Sequence, residues 1–420
     1  MGDVDVVVIG AGAAGLGAAT ALRERGRSAL VLEASDRIGG RAWTAYPAEL
    51  GGMWFDMGAL WLHAAEHNPL VPIARAAGHQ LLRSDELRRE QSFIGSRPIT
   101  PAERVRYRDA WNRFERAADA LLRPGRRDVP LAAVARSIPD DEWAPTVEAW
   151  EGSVICAVDA ELFSLRDWRA NALSGSNLVP AGGIGAFVAT LGDGLDIHLN
   201  TPVRRVRWGR RAEVETDRGS ITAGSCIVTV STGVLAAGVI AFEPELPPHV
   251  EESINALPMG LAMKVALRAT GPDRLDLPMH CSVERRVERS GDPLMPFQCW
   301  PHGRDYVQGW IGGSTAWHLS ESGEQAAADF ALNELRTIFG GRVDRLFSGG
   351  ATLVTHWDAD PWIRGAYAYA VPGSADARAH LSEPLADGRL LFAGEACNTP
   401  YAGTLGGAWL SGQAAAKAAA

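Results

Sequence analysis

The sequence predicts an α/β protein of two domains, one of which is a Rossmann-like dinucleotide-binding domain. The length of 420 residues suggests two or three domains, at roughly 100–200 residues per domain. A glycine-rich β-α-β unit opens the chain, and further strand and helix patterns follow it. With 46% hydrophobic and 22% charged residues, the composition is that of a folded globular protein, which excludes a collagen-like or disordered chain.

The opening unit has the features of a dinucleotide-binding turn. It consists of a β-branched strand at 4–9, a helix at 14–25 that Gly26 ends, and a second strand at 28–32 followed by Glu33. Gly10 permits the tight turn, Gly12 lets a pyrophosphate approach the backbone, and Gly15 lets the helix pack closely on the strand. The start of the helix offers N–H groups to phosphate. Glu33 can accept hydrogen bonds from a ribose 2′-hydroxyl, and it disfavours NADP because it would repel a 2′-phosphate.

Charge, cysteines and hydropathy narrow the possible partners. The net charge of −9 would repel a phosphate backbone, so we expect no nucleic-acid binding. The five cysteines form no CxxC pair, and the i, i+4 pair of His63 and His67 lacks a third ligand nearby, so we expect no metal site. No apolar run reaches the roughly 18 residues of a membrane helix, and no basic leader precedes the first strand. We therefore expect a cytoplasmic protein without a membrane partner. The sequence does not decide whether the chain forms a homodimer.

The residues after Glu33 indicate which dinucleotide binds. The stretch VLEASDRIGGRAWT (31–44) closely resembles the second FAD-contacting motif of the flavin amine oxidase family, in which the Gly-Gly-Arg segment lies along the FAD pyrophosphate. The resemblance implies cofactor contacts from Arg37, Gly39, Gly40 and Arg41. The charges agree independently, because arginines beside a glycine turn suit a diphosphate.

Further segments extend this resemblance over almost the whole chain, most strongly at 4–70, 178–268 and 357–416. It implies a two-domain FAD-dependent amine oxidase fold, in which a Rossmann-like FAD-binding domain is joined to a mixed-sheet and helical substrate domain. The implied FAD-binding domain comprises residues 1–75, 182–262 and 384–420, and the implied substrate domain comprises 76–181 and 263–383.

The glycine turn and the resemblance together imply a set of FAD contacts. Residues 57–60 would lie against the isoalloxazine, the backbone of Val203 against adenine, and Glu395 near the ribityl-phosphate region. The expected set is Gly10, Gly12, Ala13, Ala14, Gly15, Glu33, Ala34, Arg37, Gly40, Arg41, Met57, Gly58, Ala59, Leu60, Val203, Trp362, Gly394, Glu395, Gly403 and Thr404. Some members link FAD through a cysteine just before a pocket tyrosine, and Ala366 stands there in this chain, so we expect non-covalent FAD.

One of the two lysines in the chain is a candidate catalytic residue. Lys264 lies in ALPMGLAMKVALR (256–268), which resembles the family strand whose lysine holds a water near flavin N5. Independently, a lysine inside an apolar strand is desolvated, and a desolvated lysine can lose its charge and carry a proton or anchor a water.

The walls of the amine pocket are less well defined by the sequence. Tyr367 falls where the family places a cage tyrosine, whereas Thr404 stands where monoamine oxidases have a second tyrosine. Tyr401, Trp362 and Trp61 are candidates to replace that second ring.

A helix in the weakly matched region carries one apolar face. Its apolar positions recur at spacings of three and four residues at Tyr107, Trp111, Phe114, Ala118 and Leu121. The many arginines of this region fall mostly on the other faces, so we expect a substrate-domain helix with a solvated basic surface.

The expected reaction is FAD-dependent oxidation of an amine. Hydride passes from the carbon beside nitrogen to flavin N5, the imine is hydrolysed to a carbonyl compound, and O2 reoxidises the flavin to give H2O2. An apolar pocket favours this step because it disfavours the charged ammonium, which has no lone pair to stabilise the developing imine. The alternatives are an amino-acid oxidase, which needs a pocket arginine such as Arg166, Arg169 or Arg364, a flavin desaturase of the same fold, and a non-catalytic flavin-bearing interaction module.

Overall fold

The computed structural model describes residues 4–171 and 173–420, and within them an eight-stranded and a seven-stranded β-sheet organise the fold. The strands are β1 (Val4–Ile9), β2 (Ala29–Leu32), β3 (Thr44–Ala45), β4 (Phe55–Asp56), β5 (Leu81–Arg83), β6 (Arg89–Ile94), β7 (Arg97–Pro98), β8 (Leu178–Pro180), β9 (Asp196–His198), β10 (Val203–Arg207), β11 (Ala212–Thr216), β12 (Gly219–Val228), β13 (Ala241–Glu243), β14 (Ala262–Arg268), β15 (Cys281–Arg285), β16 (Phe297–Cys299), β17 (Tyr306–Gly312), β18 (Thr352–Val354) and β19 (Leu390–Phe392).

The α-helices are α1 (Ala13–Glu24), α2 (Leu70–Ala76), α3 (Ser84–Leu87), α4 (Pro101–Leu121), α5 (Ala133–Arg136), α6 (Ala144–Ala149), α7 (Leu165–Ala170), α8 (Ile184–Thr190), α9 (Thr232–Ala236), α10 (Pro248–Ala256), α11 (Gly313–Ser322), α12 (Glu324–Phe339), α13 (Arg342–Phe347), α14 (Ala377–Leu381) and α15 (Leu405–Ala418). A π-helix, Trp150–Val154, follows α6 directly.

The first sheet contains the predicted β-α-β unit. Its order is β13-β10-β11-β12-β1-β2-β9, and β19 also pairs with β12. Strands β1 and β2 are parallel, as a right-handed crossover through α1 requires. Strands β11 and β12 form a hairpin, in which they pair in antiparallel register from Thr216 and Gly219 onwards.

Two helices that lie far apart in sequence cross closely beside this sheet. A Cβ on Gly412 of α15 would lie 1.9 Å from the Ala14 carbonyl oxygen of α1, so only glycine permits this approach. The contact brings the start of α15, at its N-cap residue Thr404, to the same region as the start of α1.

The second sheet has a packed face and a polar face. Its order is β18-β14-β17-β16-β15-β6-β7, and alternate residues point to opposite faces. One face packs with α11, α12 and α13 in a core that includes Met263, Val283 and Phe297. The residues between them, Lys264, Glu284 and Trp310 among them, point to the other face.

The expected arginine-rich helix is α4, which begins at a capping box formed by Thr100 and Glu103. Phe114 and Ala118 are buried on its apolar face, as predicted. Among its arginines, Arg106 pairs with Glu142 and Arg113 with Asp141, whereas Arg104, Arg108 and Arg116 are exposed, as expected for a solvated basic surface. In the described part of the chain, no helix is both long and apolar enough to cross a bilayer.

Candidate active site

A cavity of about 820 Å³ extends from the glycine turn of the first sheet to the polar face of the second. Most of the predicted site residues line it, although they come from distant parts of the chain. These are Gly10, Gly12, Ala13, Ala14, Glu33, Ala34, Gly39, Gly40, Arg41, Met57, Gly58, Ala59, Leu60, Val203, Lys264, Trp362, Tyr367, Gly394, Glu395, Gly403 and Thr404.

The glycine turn has the shape of a cradle for a diphosphate. A Cβ on Gly15 would lie 1.8 Å from the Gly10 carbonyl oxygen, so helix and strand touch there. A Cβ on Gly12, in contrast, would meet no protein atom within 4 Å. Gly12 is also the N-cap of α1 and provides no side-chain cap, so the first N–H groups of the helix face the cavity. The residues present therefore fit the pyrophosphate of FAD.

Glu33 lies at the position expected for ribose recognition. One carboxylate oxygen accepts a hydrogen bond from the Ala11 N–H at 2.7 Å, and the other accepts from the N–H and hydroxyl of Ser35, both at 2.8 Å. These bonds hold the carboxylate in one orientation at the cavity wall, where it can accept from ribose hydroxyls.

Arg41 and Glu395 connect three cofactor segments. The Arg41 guanidinium donates to Glu395 at 2.8 Å and to the Ala366 carbonyl at 2.6 Å. Glu395 also accepts from the N–H groups of Ala368 and Gly403, at 3.1 and 3.2 Å. The pair thus fixes the positions of these segments relative to one another, beside the predicted flavin.

Two predicted contact residues do not line the cavity. Gly15 instead packs against Gly10, as described above. Arg37 donates to the Gly40 carbonyl at 2.7 Å and lies 4.6 Å from the ring centroid of Trp43. Arg37 therefore supports the glycine turn, and its predicted contact with FAD stays a prediction.

Lys264 lies on β14 beneath the segment expected to contact the flavin. Its ammonium donates to the carbonyls of Asp56 at 2.6 Å and Gly58 at 2.7 Å. Burial lowers the pKa of Lys264 to about 8, and the negative charge of Asp56 opposes that shift. Two of its three hydrogen-bonding positions are used, which leaves one that can face a water or substrate in the cavity.

Tyr367 forms part of the cavity wall, and its ring packs beside Gly403. Its hydroxyl donates to the Ile155 carbonyl at 2.7 Å, and burial raises the pKa of the phenol. The Thr404 hydroxyl is used in capping α15, since it donates to the Tyr401 carbonyl and accepts from the Gly407 N–H.

The proposed replacements for the second aromatic wall divide into two groups. Trp61 and Trp362 line the cavity, whereas the structure does not bring Tyr401 to it. Trp310, which the sequence reasoning missed, packs edge-on against Trp61 at a centroid distance of 6.2 Å. His63 also faces the cavity, and its Nδ1 lies 2.8 Å from the side-chain oxygen of Asn177.

Carboxylates line the part of the cavity that extends away from the glycine turn, and the sequence reasoning missed these too. Glu284 on β15 accepts hydrogen bonds from Ser92 at 2.7 Å, Trp150 at 2.5 Å and Tyr107 at 3.3 Å. Glu151 accepts from the Trp168 indole at 2.8 Å. No lysine or arginine of residues 4–171 and 173–420 forms an ion pair with either acid, so neither carboxylate has a cationic partner within the described protein.

Fold and site together define a flavin-dependent oxidoreductase, with a dinucleotide cradle on one sheet and an aromatic, acid-lined pocket against the other. The model of the family described as "flavin containing amine oxidoreductase" matches residues 13–420. The chain is 31% identical to probable polyamine oxidase 4 of Arabidopsis thaliana, over 98% of this chain and 86% of that protein. It is 28% identical to polyamine oxidase 5 of Oryza sativa subsp. japonica, over 98% and 87%.

The fold also matches a solved structure of wild-type putrescine oxidase bound to putrescine, with a TM-score of 0.81 and 22% identity over 99% of this chain and 98% of that one. This chain belongs to the flavin-containing amine oxidoreductase family, and it is an FAD-dependent amine oxidase. The fold class and the reaction expected from the sequence are thereby confirmed.

FAD, when bound, supplies the hydride acceptor for amine oxidation. The protein's own groups hold and orient the reactants. The α1 N-terminus and Arg41 would hold the diphosphate, Lys264 would support the segment expected to face the flavin, and the aromatic walls would exclude water so that a neutral amine is favoured.

We expect acid or heat to release the flavin into solution, because Ala366 provides no thiol for a covalent link. The purified protein should be yellow, and after acid precipitation the absorbance should appear in the supernatant. Colour that stays with the pellet would contradict non-covalent binding.

Proposed function

We propose that the substrate is a diamine or polyamine, in which one nitrogen is oxidised while another stays charged. The observation that carries this proposal is the pair of carboxylates, Glu151 and Glu284, which have no ion-pair partner among the described residues and line a cavity whose walls also contain several tryptophans. A buried carboxylate strongly favours a cation that can pair with it, and aromatic faces also attract ammonium groups. The polyamine oxidases and the putrescine oxidase among the similar proteins agree with this choice.

Glu284 is suited to hold the distal ammonium. Burial raises the pKa of Glu284, but hydrogen bonds from Ser92, Trp150 and Tyr107 favour the ionised form. The three donors also keep the side chain in one position. The distal ammonium of a diamine would neutralise the negative charge of the Glu284 carboxylate.

The strand order sets the distance between the two ends of the site. Lys264 on β14 pairs with Trp310 on β17, and Glu284 lies on β15, beyond β16. Three strand spacings of about 4.8 Å place Glu284 roughly 14 Å from Lys264 along the sheet. A long flexible amine can span much of this separation, whereas a small monoamine cannot.

The same charges argue against an amino-acid substrate. Of the three arginines considered for carboxylate recognition, Arg169 lines the cavity, and it pairs with Asp119 at 2.9 Å. A substrate carboxylate would also be repelled by Glu151 and Glu284.

The test is an anaerobic panel of monoamines, diamines, polyamines and amino acids, scored by loss of flavin absorbance. We expect Glu284→Gln to raise KM for diamines about 10- to 100-fold, because a hydrogen bond to a charged group is lost, and to change KM for monoamines little. Glu288→Gln is the matched control, since Glu288 is exposed and outside the cavity. A preference for monoamines that Glu284→Gln leaves unchanged would overturn the proposal.

A further inference from the structure

The second carboxylate of the cavity, Glu151, lies on a π-helix. Trp150–Val154 forms this segment between α6 and a short further helical stretch. π-Helical turns are rare and often occur at functional sites. Here the segment directs two adjacent side chains into the cavity: Trp150, which donates to Glu284, and Glu151.

Glu151 has an environment different from that of Glu284. Glu284 accepts three hydrogen bonds, whereas the one hydrogen bond found for the Glu151 carboxylate among the described residues is from Trp168. Burial raises the pKa of Glu151 to about 7, and the negative charge of Glu115 on α4 adds to the rise. Two carboxylates whose surroundings differ in this way are suited to different roles, one as a fixed charge and one as a proton carrier.

Glu151 is also close to the reacting end of the pocket. The Ile155 carbonyl, four residues further on, accepts the hydrogen bond of Tyr367. Residues four or five apart in such a segment lie about one turn from each other. The acid and the Tyr367 hydroxyl are therefore on the same wall, within about one helical turn.

We infer that Glu151 accepts the proton that an entering ammonium ion must lose before its C–H bond can be oxidised. The substrate R–CH2–NH3+ and the Glu151 carboxylate become R–CH2–NH2 and the Glu151 carboxylic acid. No electron is transferred in this step. When the cavity is open to solvent after the reaction, the acid releases its proton to water and the carboxylate is restored.

The transfer removes two charges from a buried site. In water an alkylammonium with a pKa of about 10.4 would not protonate a carboxylate. In the cavity, burial disfavours both charged forms and so favours the neutral pair. The raised pKa of Glu151 brings the proton affinity of its carboxylate closer to that of the amine.

The surrounding groups are compatible with this role. Glu115 faces Glu151 from α4, and Cys156, on the same segment as Glu151, has its pKa raised by burial and by that acid. The Asp167–Arg378 pair behind Cys156 is internally neutral, with a 2.7 Å ion pair. Trp310 presents an uncharged ring from β17.

The first test is the pH dependence of anaerobic flavin reduction, measured by stopped flow in the FAD-loaded enzyme. In the wild type we expect kred/Kd to rise with pH through an apparent pKa near 7, the value for Glu151. In Glu151→Gln the apparent pKa of this rise should move towards the pKa of the free amine, about 10, because neutral amine must then enter from solution. At pH 7.5 the variant should be at least about 10-fold slower.

Two further variants separate this role from a structural one. In Glu151→Asp the apparent pKa of kred/Kd should stay well below 10, since this variant keeps a carboxylate. Glu284→Gln should weaken diamine binding but leave the apparent pKa of kred/Kd near 7. Failure of the diamine proposal and failure of this inference, which rests on the proposed amine oxidation, can therefore be distinguished. The same apparent pKa of kred/Kd in the wild type and in Glu151→Gln would overturn the inference.

A binding measurement provides an independent readout. tert-Butylamine has no C–H bond beside nitrogen, so it binds without being oxidised. Calorimetry at pH 8 in buffers of different ionisation enthalpy gives the number of protons released on binding. We expect none for the wild type, because the proton stays on Glu151, and about one for Glu151→Gln. Equal proton counts for the two proteins would contradict the inference.

Discussion

Replacing Lys264 with methionine should lower the rate of amine oxidation about 100-fold while FAD stays bound. The ammonium holds the carbonyls of Asp56 and Gly58, on the segment expected to face the flavin. Methionine fills a similar volume, but it leaves both carbonyls without a donor and removes the polar group from this wall. The rate is measured by anaerobic flavin reduction and by oxygen consumption, and FAD content by absorbance.

The chain offers a matched control for this substitution. Lys417, the other lysine, lies in the last turn of α15 on the surface. Lys417→Met should have wild-type turnover. Wild-type turnover in Lys264→Met as well would refute a role for the lysine in the reaction.

Replacing Gly12 with valine should give a folded but colourless and inactive protein. A Cβ at this position meets no protein atom within 4 Å, and φ is −77°, so the apoprotein tolerates a side chain. The valine would instead occupy the space that the diphosphate needs at the start of α1. Flavin absorbance measures FAD content, and circular dichroism measures folding.

Gly341→Val is the control for this prediction. Gly341 is also a helix N-cap in open space, with φ of −66°, but it lies outside the cavity. This variant should remain yellow and active. A yellow, active Gly12→Val protein would show that the diphosphate does not lie against this turn.

The two sheets contribute different parts of the site. The first provides the cradle at the end of β1, where the turn and the start of α1 would face the diphosphate. The second provides the polar face on which Lys264 and Glu284 stand, three strands apart. Cofactor binding and amine selection therefore depend on different parts of the chain, and substitutions such as Gly12→Val and Glu284→Gln should affect them separately.

Sequence alone determined the cofactor half of this site. The strand, glycine turn and helix of the β-α-β unit are local, so the spacing of Gly10, Gly12 and Gly15 already predicts where a dinucleotide binds. Lys264 could also be identified locally, because a lysine in an apolar strand must be desolvated wherever that strand packs.

Tertiary structure alone decided the substrate half. Glu284 reads in the sequence as one acid of a short alternating strand, and Glu151 as one acid of a helix. Their significance arises where β15 and the π-helix meet, because the Trp150 indole bonds Glu284 there and both acids face one cavity. Such contacts depend on which faces of distant elements are brought together, and periodicity within one element carries no information about its partner. The same reason explains why Trp310 was missed and why Tyr401 lies away from the site.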